Sequence, residues 1–168
     1  MITPSIFFPG PTVLQIGYVT TDVEEAIRRY RENYGVRDFA SYPNFPGTTP
    51  SGASFTVHIA AAFIKGTLIE LIQPAGGEDK IFREILPAEG FAIRHHHQGY
   101  GIFTEEEWLE RQRVVEAQNI RVALNGEVPN VLRFRYLDLR EDLGHYLEFL
   151  YYQGEAGRKL LADIPRNE

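Results

Sequence analysis

From Thr12 to Thr20 the chain alternates in the manner of a strand. Val13, Gln15, Gly17 and Val19 fall on one face and Leu14, Ile16 and Tyr18 on the other. Thr21-Asp22-Val23-Glu24 then reads as a capping box, with the Thr21 hydroxyl accepting from an amide of the first turn and Glu24 reaching back. Val23, Ala26, Ile27, Tyr30 and Tyr34 recur at helical spacing, and Gly35 is suited to the left-handed turn that ends a helix. Arg37 to Tyr42 reads as a strand and Pro43 to Gly52, dense in turn formers, as a loop. Ala53 to Ile64 and Thr67 to Gln73 are rich in β-branched and apolar residues, and Lys65-Gly66 between them predicts a hairpin. Glu78 to Gly90, interrupted by Pro87, reads as a linker with a helical turn.

The same order then returns. Phe91 to Ile102 reads as a strand holding His95, His96 and His97, and strict alternation puts His95, His97 and Gly99 on one face and His96 on the other. Thr104 and Glu107 make a second capping box for a helix to about Gln118, with Trp108, Leu109, Val114 and Val115 as its apolar face and Asn119 as its turn residue. Arg121 to Leu124 is a short strand, Asn125-Gly126 a turn, Asn130 to Asp138 a strand, Leu139 to His145 an exposed connection, and Tyr146 to Tyr152 the last strand. Strand, helix, three strands thus occurs twice, an internal repeat. Modules at about 12–74 and 91–152, a linker at 75–90 and a tail at 153–168 make up one domain of α+β class.

Aligning Gln15 with His97 sets an offset of 82 residues; Thr21 and Thr104 differ by 83, and Glu70 and Glu148 by 78. Each module therefore carries one polar residue early in its first strand and one Glu in an otherwise apolar last strand. Two such modules can converge four ligands. Each residue also has an ordinary role open to it: a lone Glu suits a sheet edge, and a strand Gln often serves as a hydrogen-bonder. Tyr146 and Tyr152, on the face of Glu148, suit either a pocket wall or a core.

Composition narrows the chemistry. With 168 residues, 43% hydrophobic, the chain is long enough to bury a core. Lys plus Arg is 17 against 23 for Asp plus Glu, a formal charge of -6 that argues against nucleic acid or an anionic membrane as partner. With no cysteine, any metal must be held by His, carboxylate or amide oxygen. No signal-peptide pattern or bilayer-length apolar run is present, so a cytoplasmic location is expected.

Four segments in repeat register, Leu14-Gln15-Ile16-Gly17-Tyr18-Val19, Leu68-Ile69-Glu70-Leu71-Ile72-Gln73-Pro74, His96-His97-Gln98-Gly99-Tyr100 and Gly144-His145-Tyr146-Leu147-Glu148-Phe149, resemble the vicinal oxygen chelate superfamily. That superfamily includes glyoxalase I, methylmalonyl-CoA epimerase, extradiol dioxygenases and antibiotic-resistance proteins. The turn before the last strand, Asp138 to Gly144, is longer than the family's usual one. The resemblance implies two tandem βαβββ modules whose mixed sheets curl around a cavity. It also implies Gln15, Glu70, His97 and Glu148 as ligands of one divalent ion, Zn, Ni, Co or Mn, in a homodimer whose modules pair either within one chain or across the two. Beside them, His95, Tyr146 and Tyr152 are candidates for the substrate pocket.

One imidazole, one amide and two carboxylates suit an octahedral divalent ion with positions left for a bidentate substrate. Such an ion stabilises the enolate formed when a C–H beside a carbonyl loses its proton, and a carboxylate can take that proton. Glu148 is the first candidate for the base and Glu70 the second. The reading is a metal-dependent isomerase, epimerase or lyase acting on a small carbonyl compound or thioester. The alternative is a metal-free, ligand-sequestering protein of the same fold. An extradiol dioxygenase needs a second His on iron where Gln15 stands. No glutathione or coenzyme A contact is identifiable. The loop from Pro43 to Gly52 and the arm Ile6-Phe7-Phe8 are candidate covers for an apolar pocket.

Overall fold

Alternation of apolar residues on both faces of a strand requires cover on both sides, and a closed sheet with helices outside it supplies that. The computed structural model describes residues 5–7, 10–49 and 51–168. In chain order the elements are β1 (Val13–Thr20), α1 (Val23–Tyr34), β2 (Ala40–Thr48), β3 (Ser54–Ile64), β4 (Thr67–Gly77), α2 (Lys80–Arg83) and β5 (Ile93–Ile102). They continue with α3 (Glu105–Ala117), β6 (Val122–Val128), β7 (Leu132–Asp138), α4 (Arg140–Leu143), β8 (Tyr146–Tyr152), α5 (Gly154–Ala162) and β9 (Arg166–Asn167). The sheet order is β2-β6-β7-β8-β5-β1-β4-β3-β9, and β2 also pairs with β3, so eight strands curl into a ring with β9 added beside β3. The seam is narrow, since among the described residues β2 pairs with β6 at Thr48 and Asn125 alone.

Each half is a βαβββ unit, and the two join through antiparallel pairing of β1 with β5 in one chain. Strand β8 illustrates the two faces. Tyr146, Leu150 and Tyr152 belong to the core inside the curl, with Phe55, Phe82 and Phe134. Leu147, Phe149 and Tyr151 face outward to Trp108, Val114 and Val115 of α3. On the other half, Ile69 and Leu71 of β4 pack outward on Val23, Ala26 and Ile27 of α1.

Several local expectations change. The cap of α1 is Asp22, whose Oδ1 accepts from the Glu25 amide at 3.0 Å. A carboxylate suits the positive end of a helix better than a hydroxyl. Thr21 instead accepts from the Ala92 amide at 3.0 Å, tying α1 to the start of β5. Tyr34 and Leu109, placed above on the apolar faces of the helices, are 70% and 44% exposed. In their place the α3 interface holds the buried Arg111. Thr104 does cap α3, and Gly35 and Asn119 take positive φ.

Residues 43–48, expected in a loop, continue β2 against β3. The prolines are tolerated because most of the other edge of β2 is unpaired and a register shift falls between Tyr42 and Phe45. Asn125 and Gly126 are not a turn: they pair with Arg135 and Phe134, and the Phe134 ring lies over Gly126. The turn falls at Asn130, with φ 61. Residues after Tyr152 form α5 and β9; Asn167 holds the latter by accepting from the Arg37 amide and donating to Asp38 and Phe63 carbonyls. Among the described residues no helix is long and apolar enough to cross a membrane.

Candidate metal centre and cavity

The four residues singled out by the repeat lie on four adjacent strands, Glu148 on β8, His97 on β5, Gln15 on β1 and Glu70 on β4. The register explains why they meet. Gly17 pairs with Glu70 on one side and His97 on the other, while Gly99 pairs with Gln15 and Glu148. Each early ligand candidate thus faces the glycine of the other module, two residues beyond its counterpart. The glycines are required by space, because a Cβ on Gly17 would sit 1.8 Å from His97 Cε1 and one on Gly99 2.8 Å from Gln15 Cβ.

The structure brings all four side chains together. The Gln15 amide nitrogen lies 3.0 Å from Glu70 Oε2, His97 Nε2 and Glu148 Oε2. His97 Nε2 lies 3.3 Å from Glu70 Oε2 and 3.2 Å from Glu148 Oε2. Neighbouring donors on an octahedral divalent ion with bonds of about 2.1 Å are about 3.0 Å apart, so this spacing fits one small cation. Gln15 presents its oxygen to the same point after a half-turn of its amide. Gln15, His97 and Glu148 are buried, and Glu70 is partly accessible.

Strict alternation fails at the histidines. Gly17 pairs with His97 and Tyr18 with His95, so β5 carries one extra residue, a bulge at His96. The bulge turns His96 to the inside with His97 and leaves His95 on the outer face, against Tyr18 and His145. His95 is therefore not a pocket residue. Tyr146 faces inward but is covered by His96, with its hydroxyl donating to Glu84 at 2.9 Å, and does not line the cavity. Tyr152 does line it.

His96 holds His97 in one tautomer. A carbonyl only accepts, so His96 Nε2, 2.8 Å from the Ile81 carbonyl, carries a hydrogen. Burial keeps His96 neutral by pushing its pKa well below 6.5, helped by the neighbouring His97. Its Nδ1 is then a bare acceptor, and His97 Nδ1, 3.0 Å away, must donate to it. That leaves His97 Nε2 facing Gln15 and the carboxylates. Repetition on the page did not mark His96, because the signal lies in the pairing of β5 with β1. His96→Phe removes the acceptor, and metal affinity measured by calorimetry should fall about 10- to 100-fold. Retained affinity would show that the tautomer is held without His96.

The electrostatics favour holding a proton at the cluster. Burial alone would lower the pKa of His97, but Glu148 and then Glu70 raise it to about 9. Burial raises the pKa of Glu148 against the opposing effect of His97. Tyr136, its pKa raised well above 10 by burial and then by Glu148, stays a phenol and hydrogen-bonds to Glu148.

Gln15, Glu70 and Glu148 stand at one end of a cavity of about 280 Å³. Its walls include Phe45, Phe55, Phe82 and Phe134 from inside the curl, and Leu160 and Ile164 come from α5 and the segment after it. Phe45 belongs to the segment expected to cover a pocket. Ile6 and Phe7 instead join the outer core against Tyr100 and Trp108, and Phe8 lies outside the described residues.

No protein-family model matches the chain, and no curated protein sequence does. Solved structures do. Methylmalonyl-CoA epimerase from Mycobacterium tuberculosis superimposes with a TM-score of 0.58 at 16% identity, covering 96% of this chain and 97% of that one. A Streptomyces coelicolor methylmalonyl-CoA epimerase variant in complex with 2-nitronate-propionyl-CoA gives 0.59 at 15% identity, over 84% and 94%. A hypothetical protein from Bacillus halodurans gives 0.58 at 20% identity, over 86% and 96%. At these identities the likeness establishes architecture: the chain has the paired βαβββ fold of these epimerases.

Proposed function

We propose that this chain is a divalent-metal-dependent enzyme that moves a proton at the carbon beside a carbonyl or thioester, in the manner of an isomerase, epimerase or lyase. The observation that carries the reading is the convergence of Gln15, Glu70, His97 and Glu148, with Gln15 and His97 each 3.0–3.3 Å from both carboxylates, beside an apolar cavity. The epimerases of similar fold support the reaction class. Gln15, Glu70, His97 and Glu148 would hold Zn, Ni, Co or Mn, which supplies Lewis-acid stabilisation of an enolate oxygen. Glu148 takes the proton from the substrate carbon and returns it. Burial raises its proton affinity toward the working range of a base, and Tyr136 holds the carboxylate in place. Glu70, also on the cavity wall, is the second candidate. All four residues come from one chain, so the site needs no second copy, whether or not the protein dimerises.

Metal titration tests this directly. His97 must release the proton on Nε2 before that atom can ligate, so metal and proton compete. Apparent affinity should rise by up to about tenfold per pH unit below pH 9 and level off above it, with proton release seen in weakly buffered calorimetry. In the metal-stripped protein the sign is opposite. His97 binds its proton more tightly folded than unfolded, so its contribution to stability is full below pH 6.5 and is lost as pH rises through about 9. Failure to take up near-stoichiometric Zn, Ni, Co or Mn would replace the enzyme reading with a ligand-sequestering one.

A further inference from the structure

The cavity is one-sided in its chemistry. Its polar groups are Gln15, Glu70 and Glu148 and the hydroxyls of Tyr42, Tyr136 and Tyr152; the other described lining residues are aliphatic or Phe. The Gln15 amide lies 3.0 Å from both Glu70 and Glu148, and Tyr136 pairs with Glu148 between β7 and β8, so these four sit together. The remainder is dry wall, and Val128, Val131, Leu132, Leu160 and Ile164 complete it. Among the described residues that line it, none is Lys, Arg or His. A phosphate or carboxylate placed along those walls would lose its water with no cation to receive it, at a cost that normally excludes the charged form.

Volume and shape narrow the occupant. A dry cavity of about 150 Å³ takes one benzene ring, so 280 Å³ takes two fused rings or a ring with a short chain. Phe45 and Phe134 lie 6.5 Å apart between centroids and Phe55 and Phe82 5.8 Å apart, offering tilted aromatic surfaces suited to a flat body. Resting on the metal-centre reading above, we infer that the substrate is an uncharged molecule whose body is an apolar group of one to two rings held by these walls. A phosphate or carboxylate inside the cavity does not fit this lining. The chain would then share architecture with coenzyme A-ester epimerases while its cavity selects a different class of compound.

The test uses a common chelating head on different bodies. Cobalt-loaded protein is titrated by calorimetry with 2-naphthohydroxamic acid, acetohydroxamic acid and propionyl-CoA. The naphthyl compound should bind at least about 100-fold tighter than acetohydroxamate, from the apolar area it buries. Propionyl-CoA in hundredfold excess should not displace it. Val131→Trp, at a partly exposed wall position, should cut the advantage of the naphthyl compound over acetohydroxamate to less than about tenfold. Equal affinities for the two hydroxamates, or displacement by propionyl-CoA, would overturn the inference. The two readings fail separately. If neither hydroxamate responds to cobalt but 2-naphthol binds the metal-stripped protein one to one, the cavity assignment stands and the metal centre falls. If acetohydroxamate binds only with cobalt and the naphthyl group adds nothing, the reverse holds.

Discussion

Glu148→Gln should lower cobalt affinity at pH 8 by about 100-fold or more, beyond the loss typical of residues that only orient a ligand. On any substrate turned over by the wild type, exchange of the proton beside the carbonyl should fall by about 10²- to 10⁴-fold. The amide matches the carboxylate in size, and far-ultraviolet dichroism should be unchanged. A second signature separates removal of this charge from a general disturbance. Glu148 leads the groups that raise the pKa of His97 against burial, so without it the pH at which metal affinity levels off should move down from about 9. Unchanged affinity and an unchanged pH profile would remove Glu148 from the centre. A lowered affinity with full turnover would leave it as a ligand and pass the proton to Glu70.

Gly17→Ala should do comparable damage through a residue with no functional group. The added Cβ would lie 1.8 Å from His97 Cε1 and 2.0 Å from Nε2, and His97 is fully buried between β1 and the inner core. The ring cannot swing aside without displacing His96 and Tyr136, which meet it edge to face with centroids 5.2 and 5.0 Å away. Overpacking of this kind costs about 1–3 kcal/mol, measurable by urea unfolding, and metal binding should be lost together with it. A variant that keeps both stability and metal affinity would show that the ring over Gly17 is not needed where the structure puts it.

Much of this site was legible on the page because the two modules repeat in register. Gln15 and His97 are each followed after two residues by a glycine, and Glu70 and Glu148 are the lone acids of otherwise apolar strands. Pairing in the sheet turns those spacings into proximity. The bulge was not legible. Whether a strand carries an extra residue depends on what its neighbour offers opposite, and nothing within Arg94 to Gln98 distinguishes His96 from His95. The extent of β2 was hidden by prolines that only a mostly unpaired edge tolerates. The end of the chain was read as a tail because β9 is two residues held by backbone pairing and by the side chain of Asn167, neither of which leaves a periodic pattern. The cavity wall contributed by Leu160 and Ile164 went unread with it.

The extra residue in β5 also makes the protein a convenient object for spectroscopy. Three consecutive imidazoles of identical covalent structure occupy three unlike settings: one on the outer face, one neutral and hydrogen-bonded at both nitrogens, and one against two carboxylates. In ¹⁵N-histidine-labelled protein they should give three distinct signatures. His95 titrates below the ordinary imidazole range because of partial burial and the neighbouring His145, His96 supplies a fixed neutral reference, and His97 reads the proton or metal at the centre. The strand therefore carries its own calibration scale, and occupancy of the centre can be followed in the intact protein without altering a residue.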